Sequence, residues 1–158
     1  MELIFAKEEL KVTSPAFREG EAIPARYTCD GEDLFPPLSL AGVPLSAESL
    51  VLIVDDPDSP NGTWTHFVRF NLPPPLNDFR EGQDPGGGMG LTTASGLEWH
   101  GPCPHQGEHR YYFKVYALSA KLDLPDGVSA EEVEAAMDGK VLAKASLMGR
   151  YRRAATES

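Results

Sequence analysis

Lysine and arginine are scarce in this sequence: 14 of them face 24 aspartates and glutamates, giving a formal net charge of -10. A surface of that sign repels phosphate backbones and anionic membranes over most of the molecule, which removes nucleic acid from the expected partners. The one basic cluster, Arg150, Arg152 and Arg153, lies near the end of the sequence, where a short charged run is ordinarily just solvated. Long apolar runs are missing as well. The first twenty residues, MELIFAKEELKVTSPAFREG, carry charges every few positions, so neither a secretory leader nor a membrane span is expected and the cytoplasm is the expected compartment. Cysteine is limited to Cys29 and Cys103, too few for a disulfide framework. In a reducing compartment they are expected as small buried side chains, although a single bridge between them is allowed. No internal repeat or linker breaks up the 158 residues, a length that suits one domain spanning 1–158.

What is present is a series of strand-length apolar runs between prolines and glycines: ELKVTS, SLVLIVDD, THFVRFNL and RYYFKVYALS. Their β-branched and aromatic content reads as β. RYYFKVYAL lacks strong polar alternation, so it is expected as a central strand covered on both sides. SAEEVEAAMDGK carries a helix signature, with Ser129 as N-cap, Glu132 three residues on and Gly139 as the stop, which predicts a short helix over Ala130 to Asp138. KVLAKASL fits either a helix or a strand, and MGRYRR is expected to close on a sheet. Between Pro73 and His109 there is hardly any strand-like run, and loops of that length in small domains are more often functional than not. GGGMG, at Gly86 to Gly90, lacks the spacing of a phosphate loop and reads as a mobile loop.

The chemistry-bearing residues gather at two strand ends. VLIVDDPDSPNGTWTHF places Asp55, Asp56 and Asp58, then Trp64 and His66, around a proline-rich turn. Strand alternation puts Trp64 and His66 on one face and Thr65 and Phe67 on the other. HGPCPHQGEHRYYF puts His109, Tyr111 and Phe113 on one face by the same rule. If the two strands are neighbours, Trp64, His66, His109 and Tyr111 converge. Taken singly, each has a plainer reading: a carboxylate in such a turn caps backbone N–H groups, and Asp58 is expected to hold the turn. Trp64 and Trp99 would more often be core or rim aromatics.

The two blocks, DDPDSP with WTHF and GPCPHQGEHRYYFKVYAL, resemble the signature blocks of the phosphatidylethanolamine-binding protein family in its bacterial and archaeal branch, whose members are known as Raf kinase inhibitor-like proteins. YTCDGEDLFPPLSLAGVP upstream and LAKASLMGRYRR downstream extend the resemblance, in order, over nearly the whole chain. It implies a mainly β fold of two antiparallel sheets with a C-terminal helical segment, and a small surface cavity for anions such as the phosphate of a phospholipid headgroup. The positions it implies for that cavity are Asp56, Pro60, Trp64, His66, Gly101, Pro102, His109 and Tyr111, with a cis bond at Ser59-Pro60. It also allows a homodimer. The chain departs from the family pattern where His105 follows Pro104 and where Trp99 and His100 precede the Gly-Pro, which adds imidazoles near the mouth.

Two imidazoles and a phenol suit an anion because they supply N–H and O–H donors without the desolvation cost of buried lysines. Asp56 suits two tasks: orienting a histidine ring, or meeting the ammonium of a zwitterionic headgroup. The histidines predict that binding strengthens as pH falls through the region of ~6.5. The expected function is therefore that of a non-catalytic binding protein for phosphate or phosphorylated headgroups, with a regulatory role. The alternative is an inhibitor or scaffold docking on a kinase or serine protease. A hydrolase using Ser59 or Cys103 with His66 or His109 lacks a nucleophile elbow or an evident oxyanion hole. No recognisable metal-ligand spacing is present, and no cofactor is expected.

Overall fold

The computed structural model describes residues 9–153. In chain order its elements are β1 (Lys11–Thr13), β2 (Leu38–Ala41), β3 (Ser49–Asp56), β4 (Trp64–Leu72), β5 (Asp78–Phe79), β6 (Gly88–Met89), β7 (Glu108–Leu118), α1 (Ala130–Met137) and β8 (Val141–Arg152), with a 3-10 turn at Ala25–Tyr27. They form two antiparallel sheets: a small one ordered β1-β2-β5 and a large one ordered β6-β4-β3-β7-β8. The fold is mainly β, with one helix near the C-terminal end of the described residues.

The principal core gathers apolar side chains of both sheets: Val12, Leu38, Leu40 and Phe79 from the small one, and Leu50, Leu52, Val54, Phe67, Phe113, Val115 and Leu147 from the large one. The alternate residues of β3 and β4, namely Val51, Ile53, Val68 and Phe70, belong to a second cluster with Val133 and Met137 of α1. This division explains β3, which is buried at all eight positions. Its unbroken SLVLIV run is what a strand covered on both faces requires. The fully covered strand is therefore β3, not β7 as the sequence suggested. One face of β7 is buried, but Glu108 and Arg110 on the other are exposed and Tyr112, Lys114 and Tyr116 are half-buried. The second cluster reaches that face of β7 only at Tyr116 and Leu118.

α1 begins where its capping box predicts. Glu132 N donates to Ser129 Oγ at 3.1 Å, and Ser129 N donates back to Glu132 Oε1 at 3.2 Å. The ambiguous KVLAKASL is strand: β8 pairs with β7 from Val141–Leu118 to Arg152–Glu108, so tertiary pairing overrides the helix propensity of its alanines and leucines. GGGMG is not a loose loop either. Gly88 and Met89 form β6 beside Phe70 and Arg69, and a side chain at Gly88 would collide with the Phe70 ring. The glycine permits a close approach to β4. The cis peptide bond found among the described residues is Pro74–Pro75; Ser59–Pro60 is trans, contrary to the expectation. The 56–62 turn closes in another way: Asp58 N donates to Asp56 Oδ1 at 2.8 Å and Gly62 N to Ser59 O at 3.2 Å. That puts Pro60 second in a four-residue turn, a place that trans proline suits. No helix among the described residues is long and apolar enough to cross a membrane.

Candidate functional site

The C-terminal end of β3 lies between the start of β4 and the start of β7, so the two motif-bearing strands are not direct neighbours as the convergence argument assumed. Asp56 stands between them. Its backbone pairs with Trp64 of β4, and its Oδ2 lies 2.6 Å from His109 Nδ1 of β7. Between Val54 and Asp55 the β3–β4 register slips, with Val54 opposite Phe67 and Asp55 opposite Thr65, so His66 is the extra residue. A bulge of this kind re-aims side chains. In consequence His66 and Phe67 are not on opposite faces, as strict alternation predicts. Both approach Trp99, at ring-centroid distances of 6.4 and 6.0 Å.

These residues surround a cavity of about 570 Å³. Its walls are the end of β3 (Asp56), the following turn (Ser59, Pro60, Asn61), the start of β4 (Trp64, His66), Ala94, the 100–106 segment, and the start of β7 (His109, Tyr111). Seven of the eight positions expected from the sequence line it. The eighth, Pro102, is buried behind the wall, its carbonyl accepting from Cys29 N at 3.1 Å. All four histidines of the chain, His66, His100, His105 and His109, border this one hollow. Nothing about Ala94, from the 92–96 turn, marks it as a lining residue before the fold is known. Asn61 and Gln106 lie within the two motifs, but no chemistry singles them out.

Two nearly buried side chains present free polar atoms. Tyr111 is 1% exposed and His66 6%. Neither the Tyr111 hydroxyl nor His66 Nε2 has a hydrogen-bond partner among the described residues, yet neither atom is sealed from solvent; only Trp99 Nε1 is both sealed and unpartnered there. Since both residues line the cavity, these atoms open into it. His66 Nδ1 donates to the His100 carbonyl at 2.5 Å. A neutral His66 therefore turns the lone pair of Nε2 to the cavity, and only the protonated ring turns an N–H there. Burial pushes the His66 pKa below its ordinary value, against a smaller upward pull from the His100 carbonyl and from Asp56, Asp33 and Asp55. The Tyr111 phenol is pushed far up, first by burial and then by the Asp56 and Asp58 charges. It stays a neutral O–H donor. The sequence expectation of two imidazole donors is thus refined: at neutral pH the phenol is the ready donor, and His66 becomes one on taking up a proton.

His109 is committed on both sides, with Nδ1 at Asp56 and Nε2 3.1 Å from the Gln106 carbonyl. Both ring nitrogens are therefore engaged within the protein. Asp56 orients the His109 ring, but not in the way the sequence suggested, since neither ring nitrogen is left to face a ligand. Asp58 holds the turn: Arg110 N and Nε reach its Oδ2 at 2.9 Å, and Nη2 reaches Oδ1 at 2.8 Å. That guanidinium draws the Asp58 carboxyl down to about 2. Trp64, 38% exposed, stands at the rim. Trp99 packs edge-on against Phe35 at 5.1 Å and backs the His66 wall rather than lining the cavity.

The 100–106 wall is fastened to the 27–33 loop at three points. Gly101 N donates to Asp33 Oδ1 at 2.9 Å, Cys29 N donates to Pro102 O, and Cys29 is bridged to Cys103. The bridge is one of the two alternatives the sequence left open; what is corrected is the expected burial, since both residues are exposed, and their backbones are brought together by the neighbouring contacts. Asp33 was not foreseen. It has φ 57°, and burial raises the pKa of its carboxyl. No group of histidine, cysteine and carboxylate side chains suited to a metal ion occurs among the described residues.

Comparison with known proteins agrees with this architecture. The sequence model of the family described as phosphatidylethanolamine-binding protein matches residues 13–152. The chain belongs to that family. A UPF0098 protein of Methanothermobacter thermautotrophicus is 48% identical over 150 residues, covering 91% of this chain and 99% of its own length. One from Aquifex aeolicus is 43% identical, covering 91% of this chain and 89% of its own. Among solved structures, a phosphatidylethanolamine-binding protein homologue from Chlamydia trachomatis superposes with TM-score 0.89 at 42% identity, over 92% of this chain and 99% of that one. E. coli YbcL, described as a member of the mammalian PEBP family, gives TM-score 0.84 at 26% identity, over 93% and 100%.

Proposed function

We propose that this protein binds a small anion, of the kind carried by phosphate or a phosphorylated headgroup, in the histidine-lined cavity, and that it does so without catalysis. The observation that carries the reading is the pair of unpartnered polar atoms, Tyr111 Oη and His66 Nε2, on nearly buried side chains that open into one hollow. Buried polar groups are ordinarily paired. A phenol left open at a cavity surface, on an otherwise acidic molecule, suits a ligand that brings acceptor oxygens, and His66 Nε2 joins it as a second donor once its ring takes up a proton. Aromatic rings shape the floor: Tyr111 lies 5.4 Å from His66 and 6.4 Å from His109.

Against a hydrolase, Cys103 is held in the disulfide and Ser59 makes no hydrogen bond to a histidine among the described residues, so neither candidate nucleophile has an activating base. Trp64 provides the test. Titration with phosphorylethanolamine or inorganic phosphate is expected to change its fluorescence saturably, while glycerol does not. Tyr111→Phe deletes the ready donor and should weaken binding at least tenfold, since a hydrogen bond to a charged group contributes about 1.5–3 kcal/mol. Equal affinity of the variant, or no saturable response to either phosphate compound, would sink the reading and turn attention to docking on a protein partner.

A further inference from the structure

One wall of the cavity is tied down in part by a disulfide between two exposed residues. Residues 100–106 supply His100, Gly101, Cys103, Pro104, His105 and Gln106 to the lining, six of its fifteen residues, and form no strand or helix of their own. Their fastenings to the 27–33 loop are two hydrogen bonds and the Cys29–Cys103 bridge, which joins residues 74 apart in sequence. Cys103 is itself part of the lining, and both half-cystines are exposed. A disulfide that solvent thiols can reach is the labile kind, because exchange requires a thiolate to approach a sulfur in line with the bond.

We propose that the Cys29–Cys103 bridge is a thiol-controlled latch on the cavity wall, so that its reduction loosens residues 100–106 and weakens ligand binding. The loosening stands on the geometry alone; the effect on affinity rests on the anion-site reading given above. The reductant is a dithiol. One of its thiolates attacks Sγ of one half-cystine, the S–S bond breaks, and the other cysteine leaves as a thiolate and takes a proton. The second thiol of the reductant then attacks the mixed disulfide. The protein ends with two thiols, the reductant with its own disulfide, and two electrons and two protons have moved to the protein. What changes in the wall is its order. The His100 carbonyl that fixes the His66 tautomer and the Gln106 carbonyl at His109 Nε2 both belong to this segment. A looser segment therefore blurs the orientation of both rings as well as the shape of the hollow. An anion would then have to pay for ordering that the bridge supplies in advance.

The experiment compares the full chain oxidised, reduced with dithiothreitol, and reoxidised after removal of the reductant, with Cys29→Ser/Cys103→Ser as a permanently open form. Hydrogen exchange is followed along the chain, and phosphorylethanolamine affinity is read from Trp64 fluorescence. Circular dichroism checks that each form is folded. The inference predicts faster exchange confined to residues 100–106 and the facing 27–33 loop on reduction, full reversal on reoxidation, and affinity about tenfold weaker in the open forms. Unchanged exchange in those segments overturns the latch whatever the ligand result. So does faster exchange with equal affinity in all forms. If the oxidised protein binds no phosphate compound, the anion reading fails by itself, and the exchange measurement still decides whether the bridge holds the wall. If the reduced and doubly substituted forms both unfold as a whole, the bridge is a general staple rather than a local latch, and the inference is overturned.

Discussion

His66 is the residue on which the site's chemistry turns. Its Nδ1 proton is given to the His100 carbonyl, and burial favours the neutral ring. The charged groups around it, Asp56, Asp33 and Asp55, oppose that only in part, and His100, His109 and Tyr111 share the hollow. An anion bound at Nε2 favours the proton, so affinity should rise as pH falls below ~6.5, by at most about tenfold per pH unit for one linked proton. Sulfate is the suitable probe because its charge stays constant over that range. Calorimetry from pH 7.5 to 5.5 should show the rise in the wild type and its loss in His66→Gln. The unliganded protein should move in the opposite direction. Because the folded-state pKa lies below the unfolded one, the unfolded chain binds the extra proton first, and the stability contribution present above ~6.5 is lost as pH drops toward the folded value. A melting temperature that rises on acidification through this window in the wild type, but not in His66→Gln, would contradict the assignment.

The elements that build the site were legible to different degrees, and the reasons are physical. The apolar runs of β3 and β4 and the aromatic run of β7 carry their own strand signal, and the capping box at Ser129 fixes the start of α1. β8 could not be assigned from KVLAKASL because its pairing with β7, not its own propensity, decides its state. β5 and β6 are two residues each, and only long-range pairing reveals them. The slip at His66 is likewise invisible locally, since a bulge depends on how the partner strand is registered. Asp33 escaped notice because its part, holding Gly101 N, spans 68 positions. The capping box gives an element-scale prediction: Ser129→Ala removes the hydrogen bond to Glu132 N and should cost about 1 kcal/mol. Urea denaturation should show that loss with an unchanged slope, while ligand titrations stay at wild-type affinity, because α1 packs on the face of the large sheet away from the principal core.

At the scale of the whole molecule, the fold sets a rigid sheet end behind an irregular wall. β3 is buried throughout and ends at Asp56, so the carboxylate that orients His109 is carried on the most enclosed strand of the protein. The opposite wall is loop, fastened by the 27–33 segment. Seven of the eight positions that the family resemblance implied line the cavity, Gly101 of the loop wall among them, whereas the fastening of that wall to the 27–33 loop was not legible, because contacts between distant loops leave no periodic signal. The proposed anion would sit between Tyr111 and His66. Nuclear magnetic resonance of the histidine and tyrosine rings during titration with inorganic phosphate tests it most directly. The His66 and Tyr111 ring signals should shift saturably with one common affinity, and the His66 Nε2 resonance should move toward its protonated position. Shifts confined to residues away from the cavity, or none at all at millimolar phosphate, would contradict it.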